Sequence, residues 1–191
     1  MDSKKLDKIV QSFICFSIFM LWYFISYVAF FLNNYKELYQ SGYLISFMSF
    51  ALWLPLSYIA IRKYSTHYND IKIGGIDTQS TLFFITFILI LRVISAFYDK
   101  PEAWIESITT YSNLSFFLFS ICVCFLAPIY EEIVFRGFLL NAFLLWGPKA
   151  KICGIVLTSI LFSLMHTQYS SPTTFIELFT FSVIFCYARI Y

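Results

Sequence analysis

Residues 114–146 form the longest apolar stretch of the chain and read LSFFLFSICVCFLAPIYEEIVFRGFLLNAFLLW. Spanning the roughly 30 Å hydrocarbon core of a bilayer takes about 20 residues of α-helix, so this stretch is too long for one perpendicular crossing. Pro128 lacks a backbone donor and offers a place to bend. The sequence therefore predicts a single kinked transmembrane helix from Leu114 to Trp146, with two glutamates and an arginine inside it.

The composition of the whole chain is that of a membrane protein. Of its 191 residues, 60% are hydrophobic, 22% are aromatic and 13% are charged, whereas a water-soluble domain is far more polar. The net charge of +2 is small, and no basic run is interleaved with aromatic residues as a nucleic-acid surface requires. We predict an integral membrane protein with lipid around much of its surface and no nucleic-acid partner.

Polar residues divide the chain into six apolar segments. These segments are Ile9–Leu32, Tyr43–Ile61, Thr81–Phe97, Leu114–Trp146, Ile152–His166 and Thr174–Tyr191. The third, fifth and sixth segments are somewhat short for a membrane-spanning helix, and the fourth is longer than one perpendicular crossing needs. The sequence therefore predicts an all-α fold, a polytopic transmembrane helical bundle of about six membrane helices.

The distribution of lysine and arginine predicts how these helices are oriented. Cytoplasmic loops are enriched in both residues, and the amino-terminal tail and the loops around Lys63 and Lys149 are the basic ones. The stretch that contains Asp99, Glu102 and Glu106 is acidic and is expected outside. We predict a cytoplasmic amino terminus and a first helix retained as a signal anchor. The abundance of Phe, Ile, Tyr and Lys indicates a multi-pass protein of a bacterial plasma membrane.

Five ionisable side chains lie within the predicted spans. They are Arg92, Glu131, Glu132, Arg136 and His166. Each costs about 2.5 to 3.5 kcal/mol near a helix centre on insertion scales, so each needs a partner or a function. Glu132 and Arg136 are four residues apart and share a helix face. This spacing predicts an ion pair, which leaves Glu131 as the candidate general base; Arg92 is expected to reach the interface or to pair with a carboxylate elsewhere.

Other hydrolytic chemistries match the sequence less well. A zinc hydrolase needs three protein ligands and an open position, and the chain offers only Glu131, Glu132 and His166, without an HExxH motif. We assign no metal, and a divalent ion such as zinc, if bound, is expected to use Glu131 and His166. The five cysteines lack metal-site spacing and are expected to be packed or lipid-facing thiols. Neither a serine nor an aspartyl protease pattern is present.

Two short motifs resemble those of a known family. Residues 127–140, APIYEEIVFRGFLL, resemble the EExxxR-G motif of the CPBP intramembrane proteases, a family that includes the CAAX prenyl endopeptidase Rce1 and bacterial Abi proteins. The stretch from Phe162 to His166 is similar to the family's second motif, FxxxH, and follows the first after one short basic loop and one helix. The resemblance makes residues 113–191 a protease core and leaves residues 1–112 as an amino-terminal region of three membrane helices.

The resemblance implies an endopeptidase that acts on a membrane-associated or lipidated peptide or protein. It implies that Glu131 activates a water molecule and that His166 holds or polarises this water. It also implies that Glu132, Arg136 and Phe162 support the site.

A further family motif, a His followed four residues later by Asn or Asp, has no counterpart here, because the two histidines are His67 and His166. The family is thought to stabilise the oxyanion with that pair, so the sequence is expected to be a carboxy-terminally truncated member. The alternative prediction is a catalytically inactive family member that acts as a bacteriocin-immunity or regulatory protein by binding another membrane protein.

Overall fold

The computed structural model describes residues 3–68, 77–98 and 102–190. Eight helices and no strand are found in these ranges. In chain order the helices are α1 (Ser3–Phe31), α2 (Tyr35–Gln40), α3 (Tyr43–His67), α4 (Thr78–Ser95), α5 (Ala103–Ile108), α6 (Asn113–Leu144), α7 (Pro148–Leu164) and α8 (Pro172–Ile190). Each predicted apolar segment overlaps one of the six longer helices. Asp99 and Tyr191, which the sequence placed in an outer loop and at the end of the last segment, lie outside the described residues.

Five of these described helices, α1, α3, α4, α6 and α8, are long and apolar enough to cross a membrane. Helix α7 has 17 residues, which is about 25 Å of helix and slightly less than the thickness of a bilayer core. The helices confirm the predicted all-α, polytopic transmembrane bundle. The cytoplasmic position of the amino terminus stays a prediction.

Helix α6, which has 32 residues, departs twice from α-helical winding. Two π-helical segments, Cys122–Leu126 and Glu132–Leu139, flank the α-helical turn Ala127–Glu131. Such wider turns appear frequently at functional sites. Where the sequence predicts a bend at Pro128, the structure therefore has altered winding on both sides of the proline, and the second altered segment begins at the glutamate pair.

This second π-helical segment lies at the centre of the protein. Seven consecutive residues, 134–140, are buried, because α1, α3, α7 and α8 all pack around them. A surface helix buries only one stripe of its residues. Phe135 contacts Phe19 of α1 and Phe162 of α7 edge-on, with ring centroids 5.6 and 5.1 Å apart. The core of the bundle is thus built around the part of α6 that carries Arg136.

Side chains from both sides of the predicted boundary at residue 112 meet in this core. Ser12 of α1 donates to the carbonyl oxygen of Ala142 at 2.9 Å and accepts from Trp146 Nε1 at 2.8 Å. Asn141 Nδ2 donates to the hydroxyl of Tyr64 on α3 at 3.4 Å. The division into residues 1–112 and 113–191 stays a prediction, and the helices of the first part cover α6 in the second.

Helices α6 and α7 approach closely where Gly154 faces Phe143, and we predict that Gly154→Ala destabilises the protein. A Cβ at residue 154 would lie 2.6 Å from the Cβ of Phe143, which is an overlap that a side-chain rotation cannot relieve. Overpacking of this kind typically costs about 1–3 kcal/mol. The free energy of unfolding, measured by titration with a denaturing detergent, is expected to fall by about this amount.

Gly137→Ala is the matched control for this prediction. A Cβ at residue 137 would meet nothing nearer than Ile61 Cδ1 at 3.7 Å, which is an ordinary contact. We expect this variant to unfold like the parent. Equal stability of the two alanine variants would contradict the close approach of α6 and α7.

Candidate active site

The glutamate pair lies at the junction between two kinds of helix winding. Glu131 ends the α-helical turn of α6, and Glu132 begins the π-helical segment. Glu131 is half-buried, and the side chain of Glu132 is 48% exposed. The predicted pairing is present, since Arg136 Nε lies 3.7 Å from Glu132 Oε2. This distance is too long for a hydrogen bond, so the ion pair with a half-exposed carboxylate is weak.

Arg136 is held by Phe162, which the sequence predicted as a supporting residue, and by Ser182 and Phe185, which it did not. Its side chain is 2% exposed, and its NH2 group donates to Ser182 Oγ of α8 at 2.9 Å. Its guanidinium carbon lies 4.6 Å from the ring centroid of Phe162 and 5.4 Å from that of Phe185. Cation–π attraction of this kind strengthens when the cation is withdrawn from water. The positive charge is therefore stabilised by two aromatic faces and one hydroxyl group as well as by Glu132.

His166 lies two residues after Leu164, the last residue of α7, and is held in one orientation. Its Nδ1 lies 2.7 Å from the carbonyl oxygen of Phe162. A carbonyl oxygen only accepts, so Nδ1 carries the hydrogen and the neutral ring keeps an unprotonated Nε2. The ring also contacts Phe162 at 4.6 Å and stacks on Tyr169 at 6.2 Å between centroids. A fixed imidazole with a free Nε2 lone pair can accept a hydrogen bond from a water molecule.

Phe162 joins the two motifs. One face of its ring lies against the guanidinium of Arg136, and the ring also contacts His166, each at 4.6 Å. The structure thus brings Glu132, Arg136, Phe162 and His166 into one chain of contacts. Among the described residues, Glu131 and His166 are not hydrogen-bonded to each other. Catalytic groups that act through a shared water need no direct bond in the free enzyme.

Aromatic side chains from α1 and α3 lie beside the residue that precedes Glu131. Tyr130 contacts Trp22 at 5.8 Å and Trp53 at 5.6 Å between ring centroids. Trp53 donates its indole N–H to Ser26 Oγ at 3.1 Å. No motif pointed to these rings, although both predicted segments are rich in aromatic residues. They place apolar surface next to the candidate base and keep water from this side of α6.

The sequence assigned no metal, and named Glu131 and His166 only as ligands for a divalent ion if one binds. Within residues 3–68, 77–98 and 102–190, no group of three or more His, Cys, Asp or Glu side chains is placed to hold a metal ion. Zinc ordinarily takes three or four protein ligands. Use of a divalent ion by Glu131 and His166 stays an untested prediction.

Arg92 is the remaining ionisable residue of the predicted spans. It pairs with a carboxylate, which is one of the two alternatives that the sequence predicted for it. Its NH1 group lies 2.5 Å from Glu177 Oε1 of α8, and Ser95 Oγ donates to the same oxygen at 2.9 Å. This contact ties the end of α4 to α8.

Glu102 makes a second set of polar contacts at the same end of the bundle, with the residues around the start of α8. Sequence reasoning missed these contacts. Glu102 is 6% exposed. Oε2 accepts from the backbone N–H and the hydroxyl of Ser170, at 2.9 and 2.8 Å, and Oε1 accepts from the N–H of Ser171 at 3.1 Å and from Thr174 Oγ1 at 3.0 Å. We call Glu102, Ser170, Ser171 and Thr174 the Glu102 clasp. The sequence indicated only an acidic outer loop here.

The clasp makes stability depend on pH in acid. The backbone N–H of Ser170, with the other donors, holds the pKa of Glu102 below its usual range. A lowered pKa in the folded state stabilises the protein above the unfolded-state pKa of about 4.3, and this stabilisation is lost as pH falls through the folded-state value. We expect Glu102→Gln to lower the unfolding temperature at neutral pH, and we expect this difference from the parent to shrink as pH falls below about 4.3. An unfolding-temperature difference that persists unchanged in acid would contradict an ionised clasp.

Comparison with known proteins shows what the carboxy-terminal part of this helical bundle is similar to. Residues 113–191 match the family model described as type II CAAX prenyl endopeptidase Rce1-like. Both motifs, with Glu131, Glu132, Arg136, Phe162 and His166, fall inside the matched range. The match to a peptidase family supports the predicted resemblance to the CPBP intramembrane proteases.

One curated relative is the "Uncharacterized 24.3 kDa protein" of Escherichia coli, which is 40% identical over 70 residues. The aligned part covers 34% of this chain and 30% of the relative, so the chain spans less than a third of the length of the relative that it matches. No solved structure matches the chain.

Proposed function

We propose that this protein is an intramembrane endopeptidase that hydrolyses a peptide bond in a membrane-associated or lipidated peptide or protein, with Glu131 as the base that activates water. The observation that carries the proposal is the chain of contacts from Glu132 through Arg136 and Phe162 to His166, next to Glu131 and within the range matched by a peptidase family.

The proposed reaction needs one base and one group that orients the water. Glu131 removes a proton from the water while the water oxygen attacks the peptide carbonyl carbon. The tetrahedral intermediate then collapses, and the proton held by Glu131 passes to the leaving amine, so that the carboxylate is regenerated. His166, with Nδ1 donating to the Phe162 carbonyl, accepts a hydrogen bond from the water through Nε2. General acid–base catalysis of this kind typically contributes about 10²- to 10⁴-fold in rate.

Glu132 and Arg136 are proposed to support this site without taking part in bond breaking. Arg136 of α6 is buried against Phe162 of α7 and Ser182 of α8. It therefore holds these three helices together close to His166. Glu132 is half-exposed and balances part of its charge.

The substrate class follows from the surroundings of the site. Helices α1, α3, α4, α6 and α8 carry enough apolar length to lie in a bilayer, and Tyr130, Trp22 and Trp53 present aromatic surface beside Glu131. A peptide that carries a lipid group binds to the bilayer, and each buried CH₂ group of the lipid contributes about 0.8 kcal/mol to the free energy of binding. A prenylated peptide end is therefore the proposed substrate.

A matched pair of peptides tests this function. The full chain in lipid nanodiscs is incubated with a farnesylated peptide that ends in Cys, two aliphatic residues and a variable residue, and with the same peptide lacking the farnesyl group. We expect cleavage of the lipidated peptide, seen by mass spectrometry as loss of the carboxy-terminal residues, and slower cleavage of its counterpart. If neither peptide is cleaved and no protein of the host membrane is processed, the protein is a non-catalytic family member, and a bacteriocin-immunity or regulatory role replaces the proposal.

A further inference from the structure

We infer that Glu102 is a positioning residue for His166, because the Glu102 clasp fixes the loop that carries this histidine. The inference rests on the proposed function, in which His166 orients the water. Glu102 lies before residue 113, outside the part of the chain that matches the peptidase family.

The loop between α7 and α8 is held along its whole length. At its start, the N–H groups of Met165 and His166 donate to the carbonyl oxygens of Leu161 and Ser163, at 3.0 and 3.1 Å. In its middle, the N–H of Tyr169 donates to the carbonyl oxygen of His166 at 3.2 Å. At its end, the next two residues, Ser170 and Ser171, donate to Glu102. Glu102 therefore ties the end of the loop to a segment outside α7 and α8 by hydrogen bonds.

The contacts of Glu102 are charge-assisted hydrogen bonds. Four donors reach one buried carboxylate at 2.8–3.1 Å. Hydrogen bonds to an ionised acceptor are roughly twice as strong as neutral ones. A buried carboxylate is costly unless such donors satisfy it, so the position of the loop and the ionisation of Glu102 depend on each other.

A second and independent route leads from the same segment to the histidine ring. Trp104, two residues after Glu102, packs edge-on against Tyr169, with ring centroids 5.6 Å apart and planes at 86°. Tyr169 in turn stacks on His166 with planes at 27°. The ring of His166 thus contacts both Phe162 and Tyr169, and Tyr169 is backed by Trp104.

A purely structural tie between helices exists nearby and serves as the comparison. Glu177 on α8 binds Arg92 and Ser95 of α4, but no hydrogen bond of Glu177 reaches the described residues 165–171. Glu177→Gln therefore makes the same carboxylate-to-amide change at the same end of the bundle without touching the histidine loop.

Nitrogen NMR of His166 tests the inference without a need for turnover. The chain contains two histidines, so His67→Gln leaves His166 as the single imidazole. The protein is labelled with ¹⁵N-histidine and measured in nanodiscs at about pH 8, above the usual histidine pKa, so that the spectrum reports the neutral tautomers of His166. In this background we expect one tautomer, with hydrogen on Nδ1. Glu102→Gln replaces an acceptor of four hydrogen bonds by a group with one acceptor atom, so we expect a mixture of both tautomers, whereas Glu177→Gln is expected to keep one.

Kinetics with the farnesylated peptide supply the second readout. We expect Glu102→Gln to lower kcat about tenfold, because small displacements of a catalytic group are costly, and to leave KM close to that of the parent. We expect Glu177→Gln to keep both kcat and KM close to the parental values. Should Glu102→Gln fail to fold, Ser170→Ala, which removes one donor only, is expected to shift the tautomers in the same direction by less.

An unchanged His166 spectrum in Glu102→Gln, or an equal change in Glu177→Gln, overturns the inference. A shifted spectrum in a protein that cleaves no peptide in its parent form supports the positioning of His166 and overturns the proposed function instead, so the two failures are distinct.

Discussion

Glu131→Gln is expected to lower hydrolysis of the farnesylated peptide about 10³-fold, the largest effect on activity that we predict. Glutamine has the shape of glutamate but cannot take a proton from water at neutral pH. Glu131 ends the α-helical turn of α6 and is half-buried, so the substitution leaves helix packing in place. The effect is expected in kcat, measured by mass spectrometry of the peptide products, and the unfolding temperature is expected to stay close to that of the parent.

Glu106→Gln is the control for this substitution. Glu106 is an exposed carboxylate on α5, and its replacement removes the same charge far along the chain from the motifs. We expect parental kcat and KM. If Glu131→Gln and Glu106→Gln are equally active, Glu131 is not the base.

Arg136→Ala is expected to have the largest effect on stability. The substitution removes a fully buried cation that contacts Phe162, Phe185 and Ser182, and it leaves a cavity among the buried residues of α6. Large-to-small substitutions in a core that leave a cavity typically cost about 2–5 kcal/mol. We expect the free energy of unfolding, from titration with a denaturing detergent, to fall by about 3 kcal/mol or more.

Two further variants separate charge from volume at this position. Arg136→Met fills most of the space without a charge and is expected to lose less stability than Arg136→Ala, because apolar replacements of buried charges are often tolerated. Arg62→Ala removes an exposed arginine of α3 whose NH1 group donates to the Tyr58 hydroxyl at 3.2 Å, and surface changes usually stay within about 0.5 kcal/mol. An Arg136→Ala variant as stable as Arg62→Ala would contradict the burial of Arg136.

Apolar length was enough to predict the six longer helices, but not the short helices α2 and α5. All six predicted segments overlap helices, because in lipid the backbone must satisfy its own hydrogen bonds and a continuous apolar run has no alternative. The form of α6 was less predictable. Pro128 indicated a bend, but the two π-helical segments around it depend on how α1, α3, α7 and α8 pack on the helix, which periodicity does not encode.

The same limit applies to the candidate site. Spacing of four residues predicted the Glu132–Arg136 pair, because both residues lie on one helix. The contacts of Arg136 with Ser182, 46 residues away, and of Glu102 with Ser170, 68 residues away, join different helices and loops. Ser182 lies within an apolar segment and Ser170 between two of them, and no motif in the sequence marks either serine. Only the arrangement of α5, α6, α7 and α8 in space distinguishes them.

Whether Glu131 drives peptide hydrolysis is decided by the new carboxyl termini that form in a living membrane. Host cells that express the parent chain or Glu131→Gln at equal levels are compared by mass spectrometry of protein carboxyl termini in the membrane fraction. We predict a set of shortened, membrane-associated proteins that appears with the parent and is absent with Glu131→Gln. The same shortened proteins in both membranes would contradict hydrolysis by a glutamate-activated water in this protein.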